Sequence, residues 1–177
     1  MKTMGLDLSL TSTGTSIDGV TSIILTSTKG AERLFIISNK LQEIVKENQV
    51  DVVIIEGYSF ASRNSQAHSI GELGGVVRLM LWQNKIPYIE VPPTSRAKFA
   101  TGRGNASKHE VISAVSAKTG RTFRGSGGND ECDAWVLEEM AKAKLGVSSW
   151  SWTKEQMSAL DKIDWSPLLV TEGKDDI

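Results

Sequence analysis

The sequence contains one cysteine, two histidines and no long apolar run, and each shortage excludes a class of protein. Cys132 has no second cysteine with which to form an internal disulfide. Cysteine and histidine also do not recur at the spacings of a zinc site. A membrane-spanning helix needs about 18 consecutive apolar residues, and because the chain has no such stretch, no membrane partner is expected. Residues 1–3 lead directly into a predicted strand and leave no room for a signal peptide, which favours a cytoplasmic location.

The composition is that of an ordinary globular domain in which the charges are unevenly distributed. A length of 177 residues predicts one domain, and 40% hydrophobic and 23% charged residues are typical globular values. The net charge of −1 argues weakly against nucleic-acid binding. Residues 94–124, however, contain seven lysines and arginines and one acid, whereas residues 150–177 contain six acids and three lysines. The basic stretch favours contact with phosphate groups, although a solvated charged surface explains it at least as well.

Hydrophobic periodicity predicts an α/β fold with a mixed sheet. Apolar residues alternate with small or polar ones over residues 4–10, as in a strand with one buried face. Asp18-Gly19 is a turn signal between two further short strands. Three strands joined by short turns, followed by two reached through helices, predict a five-stranded sheet, antiparallel on one side and parallel on the other, with helices on both faces. The predicted strands cover 4–10, 15–18, 21–28, 51–57 and 86–91, and the predicted helices cover 31–47, 66–84, 94–101, 108–118 and 130–145.

Two acids occupy strand positions at which acids are unusual. Asp7 lies within the first predicted strand, where aspartate is depleted. A buried carboxylate at that position is costly unless a cation or a metal pairs with it. Glu56 stands at the carboxyl end of the fourth predicted strand, which is where open α/β sheets place their sites. Each of the two acids, taken alone, is explained equally well by a structural role.

A pair of aspartates, Asp130 and Asp133, opens the last predicted helix and lies on one face of it. Taken alone, the pair is better explained by the helix dipole, which favours acids in the first turn. The pair can converge with Asp7 and Glu56 only if the four carboxylates hold cations, because they would otherwise repel and raise one another's pKa. All-oxygen ligands suit Mg²⁺ or Mn²⁺. Two such ions can activate water and stabilise the leaving 3′ oxygen in phosphodiester hydrolysis.

Three short segments resemble the RuvC family of Holliday-junction resolvases, which belongs to the RNase H-like superfamily. They are Gly5-Leu6-Asp7-Leu8-Ser9, Ile54-Ile55-Glu56 before an aromatic loop, and Asp130-Glu131-Cys132-Asp133-Ala134. The resemblance covers residues 1–145 and implies an RNase H-like nuclease domain over 1–146. Residues 147–177 are a Trp-containing acidic tail without a counterpart in the family, which either packs back onto the domain or contacts a partner. The divergent tail is compatible with a bacteriophage member that acts in the cytoplasm of its bacterial host.

The resemblance implies a homodimer that binds a four-way DNA junction. Each subunit would nick one strand and leave 5′-phosphate and 3′-hydroxyl ends. Lys108 matches a family lysine that approaches the scissile phosphate, and the glycine-rich helix at 66–84 corresponds to the family's dimer interface. Motif position also implies two Mg²⁺ ions per active site, or alternatively Mn²⁺, with four ligands: Asp7, Glu56, Asp130 and Asp133.

The resemblance implies several DNA contacts as well. Tyr58 or Phe60 would stack on bases at the junction, although core packing also explains either residue. Arg63 and Asn64 match a basic–asparagine pair in the same loop, and Lys98 is a weaker match to a second basic residue of the family. The remaining predicted DNA contacts come from the basic stretch: Arg96, Arg103, Lys108 and His109.

Three other functions remain open. A sugar or acetate kinase of the actin-like group also opens with a Gly-x-Asp-x-Ser/Thr segment, but it needs two such domains, for which 177 residues are too few. A non-catalytic junction- or RNA-binding module would usually have lost one of the acids, and all four are present. A broader nuclease that cuts flaps, forks and three-way branches is barely separated by the sequence from a strict Holliday-junction resolvase.

Overall fold

The computed structural model describes residues 1–57 and 66–169 and contains a five-stranded sheet with helices on both faces. The strands are β1 (Thr3–Asp7), β2 (Ser12–Ile17), β3 (Val20–Leu25), β4 (Val52–Glu56) and β5 (Tyr88–Val91). The helices are α1 (Gly30–Glu47), α2 (Gln66–Gln83), α3 (Pro93–Thr101), α4 (Lys108–Thr119), α5 (Gly128–Lys144), α6 (Lys154–Met157) and α7 (Ser166–Leu169), with a 3₁₀ turn at Ser158–Leu160. No helix in the described part of the chain is both long and apolar enough to cross a membrane.

The sheet is mixed, as predicted. Its spatial order is β3-β2-β1-β4-β5; β1, β2 and β3 pair antiparallel, and β1, β4 and β5 pair parallel. The antiparallel half contains the predicted turn at Asp18-Gly19, whose φ angles of 51° and 77° are those that a two-residue type I′ hairpin requires. The parallel half needs helical crossovers, which α1 and α2 supply. β1 therefore lies at the centre of the sheet, beside β4.

Strand alternation divides the core into two layers. Leu6 of β1 belongs to the layer that also contains buried side chains of α1 and α2. Ile54 of β4 belongs to the other layer, with α3, α4 and α5. Successive side chains of a strand point to opposite faces, so Glu56 shares the face of Ile54, and Asp7 shares the face of Gly5, which packs on α5. The sheet thus directs both acids toward α5.

Two glycines allow the backbone of α5 to lie directly on the sheet. A Cβ added at Gly5 would overlap the carbonyl oxygen of Ala134, and a Cβ added at Gly14 would overlap that of Asp130. Any side chain at either position would push the helix away from β1 and β2, since close-packed backbone cannot give way cheaply. The two glycines therefore set the distance between the sheet and the helix that carries Asp133.

β1 is shorter than the alternation of residues 4–10 predicts, because it ends at Asp7. The hydroxyl of Thr13 donates to the carbonyl oxygen of Ser9 at 2.9 Å, and the amide of Ser9 donates to the Thr13 hydroxyl at 3.3 Å. Local side-chain bonds of this kind compete with strand pairing. Asp7 consequently stands at the end of its strand rather than in the interior, at the same edge of the sheet as Glu56.

Residues 147–169 pack against the same core layer as α3 and α5. The side-chain amide of Gln156 donates to the carbonyl oxygen of Ala100 at 3.1 Å, and the ring centroids of Trp152 and Phe99 lie 4.2 Å apart. Five apolar side chains of this segment are buried in the layer: Ala159, Leu160, Ile163, Trp165 and Leu168. The described part of the tail is thus packed on the domain, while the boundary at residue 146 stays a prediction.

Candidate active site

The carboxyl ends of β1 and β4 bring Asp7 and Glu56 to one edge of the sheet. The two strands are parallel neighbours, and Leu6 is paired with Ile55, so the acid that follows each of them lies at the same level. α5 packs across this edge, and Asp133 lies in its second turn. All three acids are therefore carried by regular elements that are fixed in the core, which makes their mutual geometry precise.

Asp7, Glu56 and Asp133 form a carboxylate triad. One carboxylate oxygen from each residue lies within 4.8 Å of the other two. Asp7 is 8% exposed and Asp133 is 2% exposed, so most of this charge is hidden from solvent. Acids this close repel one another unless a cation balances them. Two acids of the triad, Asp7 and Glu56, line a cavity of about 510 Å³, whose wall also includes Gly57, Arg78 and Lys108.

A buried arginine on α3 lies against the triad. Arg96 is 6% exposed and donates a hydrogen bond from Nη1 to Oδ1 of Asp133. Its Nε lies 2.7 Å from Oε2 of Glu56. This second contact is an ion pair between the guanidinium group and the carboxylate. A single guanidinium group thus bridges two of the three acids.

Burial raises the proton affinity of two acids of the triad, Asp7 and Asp133. The pKa of Asp7 is raised well above its usual range, chiefly by burial and then by the charges of Glu56 and Asp133. The pKa of Asp133 is raised to about 6, again chiefly by burial, while the charge of Arg96 opposes the rise. Burial also works against the charge of Arg96, but the carboxylates around it outweigh that effect and raise its pKa. The triad therefore favours ligands that carry positive charge.

The raised pKa of Asp133 predicts that the metal-free protein loses stability as the pH rises. A carboxyl group with a pKa of about 6 in the folded state and 3.8 ordinarily binds more protons when folded than when unfolded between these values. The free energy of unfolding therefore falls as the pH rises through this window, and the raised pKa of Asp7 acts in the same direction. Urea unfolding in EDTA at about pH 4.5, 5.5 and 6.5 measures the slope.

Asp133→Asn is the matched variant for this prediction, because it keeps the shape of the side chain and removes the titrating group. It should flatten the dependence of the unfolding free energy on pH. An Asp133→Asn protein whose unfolding free energy depends on pH as steeply as that of the wild type would contradict a raised pKa at Asp133.

Asp130 lies beside the triad without joining it. It is half-buried in the first turn of α5, and the set of oxygens within 4.8 Å of one another contains only the other three acids. Its charge nevertheless adds to the burial and the nearer acids that raise the pKa of Asp7. The sequence predicts four converging carboxylates; the structure brings three together, and the role of Asp130 as a metal ligand stays a prediction.

Lys108 opens α4 at the wall of the same cavity. The predicted capping box fixes this helix start: the hydroxyl of Ser107 accepts from the amide of Glu110, and the Glu110 carboxylate accepts from the amide of Ser107. The charge of Lys108 opposes the burial that raises the pKa of Asp133. Lys108 is thus an exposed cation next to the triad.

Several other basic residues at 94–124 have partners within the protein. Lys98 forms an ion pair with Glu155 at 2.9 Å, and Arg103 forms one with Glu110. Two more donate to backbone carbonyl oxygens: Lys118 to that of Ser151 and Arg121 to that of Gly19. His109 is exposed beside Arg103. The DNA contacts of Lys98, Arg103 and His109 stay predictions.

Arg96 departs from the predicted DNA surface, because its guanidinium group is buried against Glu56 and Asp133. The predicted order of the strands and helices, rather than the count of charges, could have placed Arg96 near Glu56. α3 follows β5, the parallel neighbour of β4, so its first turns return to the edge that carries Glu56. The predicted DNA contacts of the loop lie outside the described residues: Tyr58, Phe60, Arg63 and Asn64.

α2 exposes an apolar stripe. Gly75, Leu79 and Trp82 follow one another at spacings of four and three, so they share a face of the helix. Leu79 is 53% exposed and Trp82 is 74% exposed, and a Cβ added at Gly75 would meet no atom within 4 Å. Phe35 of α1, the helix packed against α2, is also exposed. Large apolar side chains that are exposed on one face of a helix favour an interaction site.

A family model described as crossover junction endodeoxyribonuclease RuvC matches residues 4–118. Relatives with the same description include proteins from Carboxydothermus hydrogenoformans, 38% identical over 80 residues, and Prochlorococcus marinus, 34% identical over 87 residues. These matches cover 45% and 49% of this chain and 51% and 56% of the relatives. The chain thus spans about half the length of the curated relatives it matches.

Solved structures show the same fold. That of T. thermophilus RuvC in complex with Holliday junction substrate has a TM-score of 0.67 and 22% identity, covering 85% of this chain and 99% of that one. The yeast mitochondrial Holliday junction resolvase has a TM-score of 0.53 and 11% identity, covering 90% of this chain and 80% of that one. At these identities the likeness shows the fold alone, and it agrees with the predicted RNase H-like sheet.

Proposed function

We propose that this chain, which belongs to the RuvC family of crossover junction endodeoxyribonucleases, is a Holliday-junction resolvase. It would make paired nicks in a four-way DNA junction and leave 5′-phosphate and 3′-hydroxyl ends. The observation that carries the proposal is the convergence of three acids from β1, β4 and α5 at one edge of the sheet, with Lys108 on the wall of the same cavity.

The triad fits a divalent metal ion. All its donors are carboxylate oxygens, which suit hard ions such as Mg²⁺ and Mn²⁺, and they lie close enough together to share one ion. Oε2 of Glu56 already lies 2.7 Å from a cationic group, Nε of Arg96, which supports the binding of positive charge at this position. We assign the triad, with Asp130 at its side, as the site of two Mg²⁺ ions, for which Mn²⁺ can substitute. Bound there, the ions would activate water and neutralise developing charge in phosphodiester hydrolysis.

The residues of the chain itself bind and orient the DNA strand in this proposal. Lys108 contacts the scissile phosphate, because it is an exposed cation on the wall of the cavity that Asp7 and Glu56 line. Arg103 and His109 extend the basic surface along the start of α4. Tyr58 or Phe60 stacks on junction bases, and the neighbouring contacts of this loop are Arg63 and Asn64. Phosphate contacts of this kind make binding weaken as salt is added.

Lys108→Ala is expected to slow cleavage far more than it weakens binding. A fixed cation that stabilises charge at the reacting phosphate accounts for roughly a hundredfold in rate. One phosphate contact among many changes the affinity only about threefold. Single-turnover cleavage and band-shift titration of one labelled four-way junction separate the two quantities.

Lys144→Ala is the matched control, because Lys144 is an exposed lysine at the far end of α5, about 16 Å along the helix from Asp133. It should leave both the cleavage rate and the affinity unchanged. Wild-type turnover in Lys108→Ala would reject the assignment of Lys108. An equal loss of rate and affinity would make it a general DNA contact.

We also propose that two copies of the chain associate through the apolar stripe of α2. Gly75 lets a facing helix approach closely, and Leu79 and Trp82 supply exposed apolar surface on the same face. A dimer built on this stripe gives two active sites, which is what paired nicks in one junction require. The stripe and the triad are linked through α2, whose residues Ala67, Ile70 and Gly71 line the cavity beside Asp7.

Leu79→Glu is expected to convert a dimer to a monomer, because a charge placed in an apolar interface has no partner and costs several kcal/mol. Sedimentation velocity or light scattering after gel filtration measures the mass. Val147→Glu is the control, because Val147 is 65% exposed but lies outside α2. The mass of the Val147→Glu protein in solution should match that of the wild type. A monomeric wild type, or a Leu79→Glu protein that remains dimeric, would reject this interface.

A further inference from the structure

Arg96 lies against two acids of the triad, Glu56 and Asp133. It projects from the first turns of α3, after Pro92 and Pro93 have ended β5 and opened the helix. Its Nη1 donates to Asp133, and its Nε faces Glu56 at 2.7 Å. Its burial, with 6% of the residue exposed, places the charge among the carboxylates rather than in solvent.

Arg96 bridges the two acids through two of its nitrogen atoms. Nη1 donates a hydrogen bond to Oδ1 of Asp133, and Nε lies 2.7 Å from Oε2 of Glu56. Because the guanidinium group is a rigid planar fork, these two contacts fix the positions of the two carboxylates relative to each other.

Charge balance shows why such an arrangement matters. Three carboxylates lie within 4.8 Å of one another, and two of them are almost completely buried. Without a cation, like charges at this separation would destabilise the folded protein or force protonation of the acids. Arg96 supplies one positive charge to three negative ones, which reduces the repulsion and leaves a net attraction for further cations.

We propose that Arg96 is a positioning residue that acts as the internal counter-ion of the metal-free triad: it holds Glu56 and Asp133 together and partly competes with the metal for them. The proposal rests on the metal site of the proposed function, and it assigns Arg96 a role that does not involve DNA. Arg96 stabilises the empty site more than the loaded site. By thermodynamic linkage, its removal must then tighten metal binding by the same factor by which it selectively destabilises the metal-free protein.

Arg121 provides an internal comparison. It is also an arginine with a defined partner in the folded protein, but it donates to the carbonyl oxygen of Gly19 and packs beside Trp135, with no carboxylate of the triad among these contacts. Its removal should destabilise the protein whether or not metal is present. Comparing the removal of Arg96 with the removal of Arg121 therefore distinguishes a counter-ion of the triad from an arginine with a structural role alone.

The test compares thermal unfolding of wild type, Arg96→Met, Arg96→Lys and Arg121→Met without DNA, in EDTA and in a titration with Mn²⁺. Removing one partner of a buried ion pair is costly, so we expect Arg96→Met to lower the Tm in EDTA by about 6–15 °C. Mn²⁺ should recover most of that loss, and the Kd for Mn²⁺ from calorimetry should be roughly five- to a hundredfold tighter than in wild type. Arg96→Lys keeps the positive charge but loses the planar guanidinium group. Its Tm in EDTA and its Kd for Mn²⁺ should lie between those of wild type and Arg96→Met.

Each outcome decides one point. An equal drop in Tm for Arg96→Met in EDTA and in Mn²⁺, as expected for Arg121→Met, would overturn the counter-ion role. Weaker Mn²⁺ binding by Arg96→Met would also overturn it, because Arg96 would then support the loaded site. If Arg96→Met does not fold in EDTA, Arg96→Lys supplies the same comparison. A wild type whose Tm and calorimetry show no response to Mn²⁺ would instead reject the metal site itself, and the proposed function with it.

Discussion

Asp7→Asn is expected to abolish DNA cleavage and leave junction binding nearly intact. The substitution keeps the shape of the side chain and removes one of the three converging charges at the carboxyl end of β1. Charge stabilisation by bound metal ions contributes several kcal/mol at the transition state, so its loss should lower the rate about a thousandfold or more. Affinity should change less than about threefold, because phosphate and base contacts, rather than the triad, hold the DNA.

Glu131→Gln is the control for Asp7→Asn. Glu131 is also an acid at the start of α5, but its carboxylate accepts from the hydroxyl of Thr21 at 3.2 Å and lies outside the triad. Its removal should leave cleavage close to the wild-type rate. If Asp7→Asn lost binding together with cleavage, Asp7 would have a folding role, and if it kept more than about a tenth of the rate, the triad would not be the metal site.

Gly5→Ala is expected to disrupt the fold, although it adds only one methyl group. The new Cβ would overlap the carbonyl oxygen of Ala134 and lie 2.7 Å from the amide nitrogen of Glu138. Both atoms belong to the helix backbone, which cannot move aside as a flexible side chain can. α5 would have to leave the sheet, so the free energy of unfolding should fall by about 3 kcal/mol or more. Because α5 carries Asp133, any folded fraction should also bind metal less tightly.

Gly57→Ala is the matched control for this substitution. Gly57 follows β4, and its added Cβ would lie 3.5 Å from the carbonyl oxygen of Val91, an ordinary contact. Its unfolding free energy should stay within about 1 kcal/mol of wild type. Chemical denaturation of both variants makes the comparison. Equal stability of Gly5→Ala and Gly57→Ala would contradict the close approach of α5 to β1.

Local signals in the sequence predict a large part of this fold. Asp18-Gly19 predicts the hairpin because few residues adopt positive φ at two successive positions. Ser107 and Glu110 predict the start of α4, because the side chain of each residue accepts a hydrogen bond from the backbone amide of the other. The end of the fourth predicted strand at Glu56 predicts a site there, because open α/β sheets place their sites at the carboxyl ends of their strands. Each of these features depends on neighbours in the chain or on topology alone.

The remaining features depend on contacts between distant residues. Alternation predicts one buried face for β1, but Gly5 lies under α5 and makes the second face buried as well. Charge counting places Arg96 on a DNA surface, whereas tertiary packing buries it against two acids. Spacing along α5 gives Asp130 the same direction as Asp133, yet only Asp133 reaches the triad. In each case the packing of elements that are distant in the sequence decides the outcome.

The most direct test of the central claim is cleavage of a labelled synthetic four-way junction in Mg²⁺, with linear duplex, flap and three-way substrates beside it. Wild type should make paired nicks near the crossover that a ligase can seal, and EDTA or Asp7→Asn should abolish them. Equal cutting of flaps and three-way branches would indicate a general branched-DNA nuclease. Binding of the junction without cleavage in either Mg²⁺ or Mn²⁺ would contradict the account and indicate a non-catalytic junction-binding protein.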